Sequence, residues 1–202
     1  MPHGKVPVSC ITLSRATGSR TIVHYRDLPE YSFRAFEQID LAAFDWLHFE
    51  GRAVEGLEPM LRKTAGAGVP CSLEIEKPRE GIERLFSHAD VLIFSRAYVL
   101  ARGFDAPGAF LAGAQVPRKH IYLAWGEEGG WCRDVDGVLH HHPAPRIEVV
   151  DSLGAGDVFN AAVIHGHLQG WGMDKTLQWA VTLAAAKCQR QGFDGLGEVG
   201  DE

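Results

Sequence analysis

Asp151-Ser-Leu-Gly-Ala-Gly-Asp157 decides how this 202-residue chain is read. It runs into an apolar segment with helical spacing over 157–169, so its two glycines stand where a loop turns into a helix. Glycine there lets the backbone come close to a ligand, and the first amides of a helix, having no partner within it, offer their N–H groups outward. The positive end of the helix dipole lies behind them, so a phosphate is favoured at this point. Asp157 falls in the first turn of the same helix, where a carboxylate is stabilised in its ionised form and can take a proton from a nearby hydroxyl. An amide cradle beside a base is what phosphoryl transfer to an alcohol needs. A plainer reading competes, since Asp is a favoured helix cap and Gly a common turn residue.

Upstream of this stretch, short apolar and β-branched runs at 8–13, 21–25, 45–50, 71–76, 91–95 and 121–125 predict strands. Several are continuous rather than alternating, which suits a sheet covered on both faces. Helical patterns at 55–64, 82–88 and 107–114 fall between the later strands, giving the βαβ rhythm of a parallel sheet. The first two strands are separated by Ser14-Arg-Ala-Thr-Gly-Ser19, a hairpin-like connection that predicts an antiparallel pair. No strand–glycine turn–helix unit precedes Asp45. Downstream, 157–169 and 174–189 read as two successive helices with a turn at Gly170-Trp-Gly172. In the second, Leu177, Ala180, Val181, Ala184, Ala185 and Cys188 form one apolar face.

Composition narrows the partners. With 46% hydrophobic residues the chain can bury a substantial core, and its formal net charge of -6, with scattered Lys and Arg, argues against nucleic acid or an anionic membrane surface. No apolar run is long enough for a membrane span and the start lacks a secretory signal, so a cytoplasmic location is expected. The four cysteines, Cys10, Cys71, Cys132 and Cys188, are far apart and read as reduced thiols. His140-His-His142 reads as an exposed loop, because adjacent side chains on an extended chain diverge rather than converge on a metal.

The longer string Asp151-Ser-Leu-Gly-Ala-Gly-Asp157-Val-Phe-Asn160 resembles the carboxy-terminal signature of the ribokinase-like, or phosphofructokinase-B-type, carbohydrate kinases. Trp46–Arg52, Glu74–Glu80, Ala124–Gly129 and Lys187–Gly195 narrow the likeness to members that phosphorylate fructose at carbon 1, and similarity runs from about Lys5 to Gly195. The resemblance implies an α/β fold: a doubly wound, mostly parallel sheet with a small β-sheet lid, the lid coming from residues 5–27 of one kinase domain over 1–202. It implies ATP-dependent conversion of fructose to fructose 1-phosphate, with homodimers formed through the lid. By the same likeness, Asp157 is the base for the sugar hydroxyl, while the amides of Gly154, Ala155 and Gly156 form the anion hole. Arg20 is implied to contact ATP phosphates through its two-pronged guanidinium. Gly126, Glu127, Glu128 and Gly129 follow a strand at its carboxyl end and border the ATP site in the family. Asn160, Ala184 and Cys188 lie near the adenine and helix-packing region, Cys188 belonging also to the apolar face.

Two departures accompany the likeness. The family's Asn-x-x-Glu motif, linked to magnesium-bound phosphate, has no copy: the strand at 91–95 is followed by Arg96-Ala-Tyr98. Mg²⁺ is therefore expected to arrive with ATP and to be held by its phosphates and water, with no protein metal ligand named. A monovalent cation such as K⁺ near Asp151 is a further implied feature, beside the plain reading of Asp151 as a turn residue. The family also carries an amino-terminal sugar-binding Asp and a Gly-Gly-Asn segment, so the chain is expected to lack the first strands and to be a truncated form. A kinase for another sugar or a nucleoside, and a noncatalytic nucleotide-binding or dimerising remnant, remain open alternatives.

Overall fold

The computed structural model describes residues 4–13, 20–113 and 119–198. Two sheets are present among them. The smaller is an antiparallel ribbon of β1 (Val8–Leu13) and β2 (Arg20–Tyr25), paired Val8 to Tyr25 through Leu13 to Arg20. The larger has six strands in chain order: β3 (Leu47–Glu50), β4 (Cys71–Ile75), β5 (Val91–Ser95), β6 (His120–Ala124), β7 (Gly130–Arg133) and β8 (Leu139–His142). The first four run parallel, and β7 and β8 add antiparallel pairings at the far edge. This is the expected mixed α/β sheet with a separate two-stranded ribbon.

The side-chain alternation of each strand sorts the molecule into layers. Leu92 and Phe94 of β5, with Ile121 and Leu123 of β6, face one core. That core is roofed by α2 (Val54–Ala67), the 3₁₀ turns of Ile82–His88, α3 (Arg96–Ala101) and α4 (Pro107–Gly113). Val91 and Ile93, with Tyr122 and Cys132, face the opposite core against α5 (Ala155–Leu168) and α6 (Met173–Cys188). Apolar residues on both faces explain the continuous hydrophobic runs of β5 and β6. β3 and β4 differ. Cys71, Leu73 and Ile75 are fully buried in the first core, but the other face carries His48, Ser72 and Glu74. Ser72 Oγ accepts a hydrogen bond from Trp46 Nε1 at 3.0 Å and lies 2.7 Å from His48 Nδ1. The second layer is thus apolar over β5–β7 and polar over β3–β4.

Several sequence-based expectations are corrected. His140-His-His142 is the edge strand β8, not a loop. His141 stacks on Trp131 with ring centres 4.0 Å apart, while His140 and His142 turn the other way and reach Asp174 Oδ1 at 3.3 and 2.9 Å. The alternation of an extended chain is what separates them. The segment 82–88 is 3₁₀ rather than α-helical, and α1 (Phe33–Phe36), α3, β7 and β8 were not anticipated. Residues 14–19 of the hairpin connection and Ala114 at the end of a predicted helix lie outside the described residues. Among the described residues no helix is long and apolar enough to cross a membrane.

Candidate active site

The turn that starts α5 is built by its own sequence. Asp151 Oδ1 accepts the Leu153 N–H at 2.9 Å, an Asx turn, and the Ala155 amide reaches Ser152 O at 3.3 Å. Gly154 then takes the left-handed conformation, φ 80°, as the residue preceding the helix. A Cβ on Gly154 would fall 2.5 Å from Phe193 Cζ and 3.7 Å from Asp157 Oδ2, so both backbone and neighbours require glycine here. The same figures bring one oxygen of the Asp157 carboxylate beside Gly154 at the start of the helix. Gly156 is different in kind: a Cβ there would meet nothing within 4 Å, and the space in front of the first helical turn is open. Asp157 is exposed into it.

The polar face of β3 and β4 lies across from this helix start. Burial raises the Glu74 carboxyl above its ordinary range, against the pull of the Asn160 side chain and with the charges of Glu50, Asp157 and Glu76 adding to the rise. His48 is pushed below its ordinary value by burial, against the opposing pull of Glu50 and Asp157. These couplings bring the carboxyl ends of β3 and β4 and the first turn of α5 together as one electrostatic neighbourhood. A cavity of about 550 Å³ adjoins it, between the ribbon and the β3 edge, with His24, Arg26, His48, Glu50 and Arg52 among its lining residues. That volume is within the range of small-molecule sites. Among the described residues no group of three His, Cys, Asp or Glu side chains is arranged to hold a metal ion.

The second glycine loop occupies the end of β6. Gly126, Glu127 and Glu128 form an exposed 3₁₀ turn, closed by hydrogen bonds from Gly129 N to Gly126 O and from Trp125 N to Gly129 O. Gly129, at φ 95°, has no room for a side chain, because a Cβ would overlap the backbone of His142, Pro143 and Ala144. The next residue, Gly130, abuts Phe159 of α5, so this loop and the start of α5 are neighbours. Arg20 opens β2, and its side chain lies outside the described residues. Asn160 is buried and acts on the Glu74 carboxyl, Ala184 is half-buried, and the Cys188 carbonyl accepts the amides of Val150 and Asp151.

One residue of the neighbourhood escaped the reading of the sequence. Lys187, on α6, is fully buried, and its ammonium lies 2.8 Å from Asp151 Oδ2. This contact, with the Leu153 and Gly192 amides, holds the Asp151 carboxyl below its usual range. A lysine three positions after Ala184, on the inward side of a helix whose stripe is otherwise small and apolar, is the signal that was there to find. Such a residue is seldom buried unless it is paired.

Comparison with known proteins shows the family and the fold. The pattern of the pfkB family carbohydrate kinases matches residues 3–195. Mouse ketohexokinase is 39% identical over 207 aligned residues, covering 96% of this chain and 70% of that protein. Among solved structures, adenosine kinase from Sinorhizobium meliloti superposes with a TM-score of 0.76 at 20% identity, over 92% of this chain and 61% of its own. A protein described as ribokinase II from E. coli, in complex with ATP and Mg²⁺, gives a TM-score of 0.76 at 18% identity, over 95% of this chain and 67% of its own. The chain thus spans between about three-fifths and seven-tenths of these relatives. Its fold is the ribokinase-like α/β fold, and the chain belongs to the pfkB family of carbohydrate kinases.

Proposed function

We propose that this chain transfers the γ-phosphoryl group of MgATP to the 1-hydroxyl of fructose, releasing fructose 1-phosphate and ADP. The observation that carries the reading is the nearness of the Asp157 carboxylate to Gly154 at the glycine-lined start of α5. The likeness to mouse ketohexokinase supports the choice of acceptor. In this reading Asp157 takes the proton of the sugar hydroxyl as its oxygen attacks phosphorus. The amides of Gly154, Ala155 and Gly156 hold the charge that develops on the transferring group, the Ala155 amide exchanging its long bond to Ser152 for a phosphate oxygen. Open space in front of helix-start donors fits a nucleotide phosphate, and magnesium arrives on such phosphates. That ion neutralises phosphate charge, and no protein ligand is assigned to it.

Arg20 supplies a second phosphate contact in the same reading, and the 126–129 loop borders the nucleotide. The acceptor enters from the cavity that reaches His48 and Glu50. Val8, Ile22, Val23 and Tyr25 are exposed on the ribbon, a surface suited to pairing with a second copy, so the active form is a homodimer. The cysteines are free thiols, in keeping with a reducing cytoplasmic location. Coupled ADP release with MgATP tests the assignment across fructose, other sugars and adenosine. Turnover that is fastest with fructose is the expected result. Preference for adenosine or another sugar would move the acceptor within the family. Nucleotide binding unaffected by any acceptor would instead favour a noncatalytic dimerising module.

A further inference from the structure

Lys187 has its ammonium enclosed by the chain segments that frame the start of α5. Nζ lies 2.8 Å from Asp151 Oδ2, 3.1 Å from Asp151 O and 3.4 Å from Arg190 O, so its three N–H groups face three oxygen acceptors. The ring of Phe193 sits with its centre 5.6 Å away. Contacts run outward from this point in two directions. Asp151 Oδ1 holds the Leu153 amide and so shapes the turn into Gly154. Phe193 is the ring against which Gly154 is packed. A single buried charge therefore ties together the 151–154 turn, the end of α6 and the 190–193 segment, and two of these wall the glycine opening of α5.

We infer that Lys187 is a positioning residue acting as a tethered monovalent cation: it fixes the 151–156 loop for phosphate binding, so that the site needs no potassium ion. This rests on the reading of Gly154–Gly156 as the phosphate cradle. A K⁺ ion at Asp151 does not fit the residues present, because the carboxylate oxygen and carbonyls that would ligate it already surround an ammonium. A second cation among those oxygens would lie a few ångströms from Nζ and be repelled by it.

The test measures MgATP affinity by calorimetry and thermal midpoint by fluorescence for the full chain, in KCl and in LiCl at equal ionic strength. Wild type is expected to give the same affinity and the same midpoint in both salts. Lys187→Ala should bind MgATP roughly tenfold more weakly in LiCl, the scale of a lost hydrogen-bonded charge, and recover much of that loss in KCl. Lys187→Arg, which keeps a cation in place, should bind close to wild type. Rescue by potassium separates a cation's role from plain packing, since a larger ion cannot mend a packing defect in one salt only. The inference is overturned by a wild-type affinity or midpoint that rises in KCl, by a folded Lys187→Ala that binds as wild type, or by a loss that KCl does not relieve. If Lys187→Ala does not fold, the wild-type comparison and Lys187→Arg decide in the same way. If wild type binds no MgATP in either salt, the phosphate-cradle reading fails by itself. The thermal midpoints then judge Lys187: equal in both salts upholds the tethered cation, and higher in KCl overturns it.

Discussion

The two ends of α5 use the same residue types for opposite purposes. At its start, Gly156 faces open space and Asp157 is exposed beside Gly154. Toward its end, Gly166 is buried: a Cβ there would lie 2.5 Å from Thr176 Oγ1 and 2.6 Å from its Cγ2, so glycine is what lets α6 approach. His167, the next residue, has its ring among Trp46, His120 and Tyr122. Glycine at the closed end serves chain packing, whereas at the open end no protein atom explains it. A glycine whose side chain would collide is evidence for packing, whereas one whose side chain would meet nothing, as also at Gly56, Gly66 and Gly172, points to a ligand only where a reactive group such as the Asp157 carboxylate stands beside it.

That contrast can be broken by substitution. The largest effect is expected at the closed end, where Gly166→Val forces α5 and α6 apart and should cost about 3 kcal/mol of unfolding free energy, read by urea titration. Next comes His167, which burial, helped by the His120 charge, holds down at about 4 against an ordinary 6.5. The unfolded chain binds this proton between those values and the folded chain does not. Its contribution is therefore complete above pH 6.5 and lost as pH falls toward 4. Allowing for partial exposure, the loss should be on the order of 2 kcal/mol, and His167→Phe should flatten that part of the stability–pH curve. At the open end, Gly156→Val should leave the unfolding free energy within about 1 kcal/mol of wild type while weakening MgATP roughly tenfold, measured by calorimetry. Smallest of all, Glu127→Gln should shift stability by less than about 0.5 kcal/mol, since its turn is exposed.

Legibility in the sequence followed the source of the stabilising force. β5 is bounded as its apolar run predicts, because Val91–Phe94 is buried on both faces and nothing else competes with that pattern. The start of α5 was readable for a local reason: the Asx turn at Asp151 and the left-handed Gly154 are fixed by neighbouring residues. β7 and β8 were not readable. Gly130-Trp-Cys-Arg and Leu-His-His-His have little strand propensity, and they are held by pairing to β6 and by the Trp131–His141 stack. Lys187 stayed hidden for a similar reason, since its charged partner Asp151 is brought to it by the tertiary fold. The polar second face of β3 and β4 shows only once α5 is laid across it. Ser72 and Glu74 by themselves read as ordinary strand residues.

The most direct measurement is phosphoryl transfer by Asp157→Asn, with ADP release and MgATP affinity determined on the same folded protein. The carboxamide keeps the shape of the side chain and removes its capacity to take a proton. A fall in turnover of roughly 10²–10⁴-fold, with MgATP binding and thermal midpoint near wild type, is the result this account requires. Turnover equal to wild type would contradict it, because the hydroxyl proton would then leave by a route that does not involve residue 157.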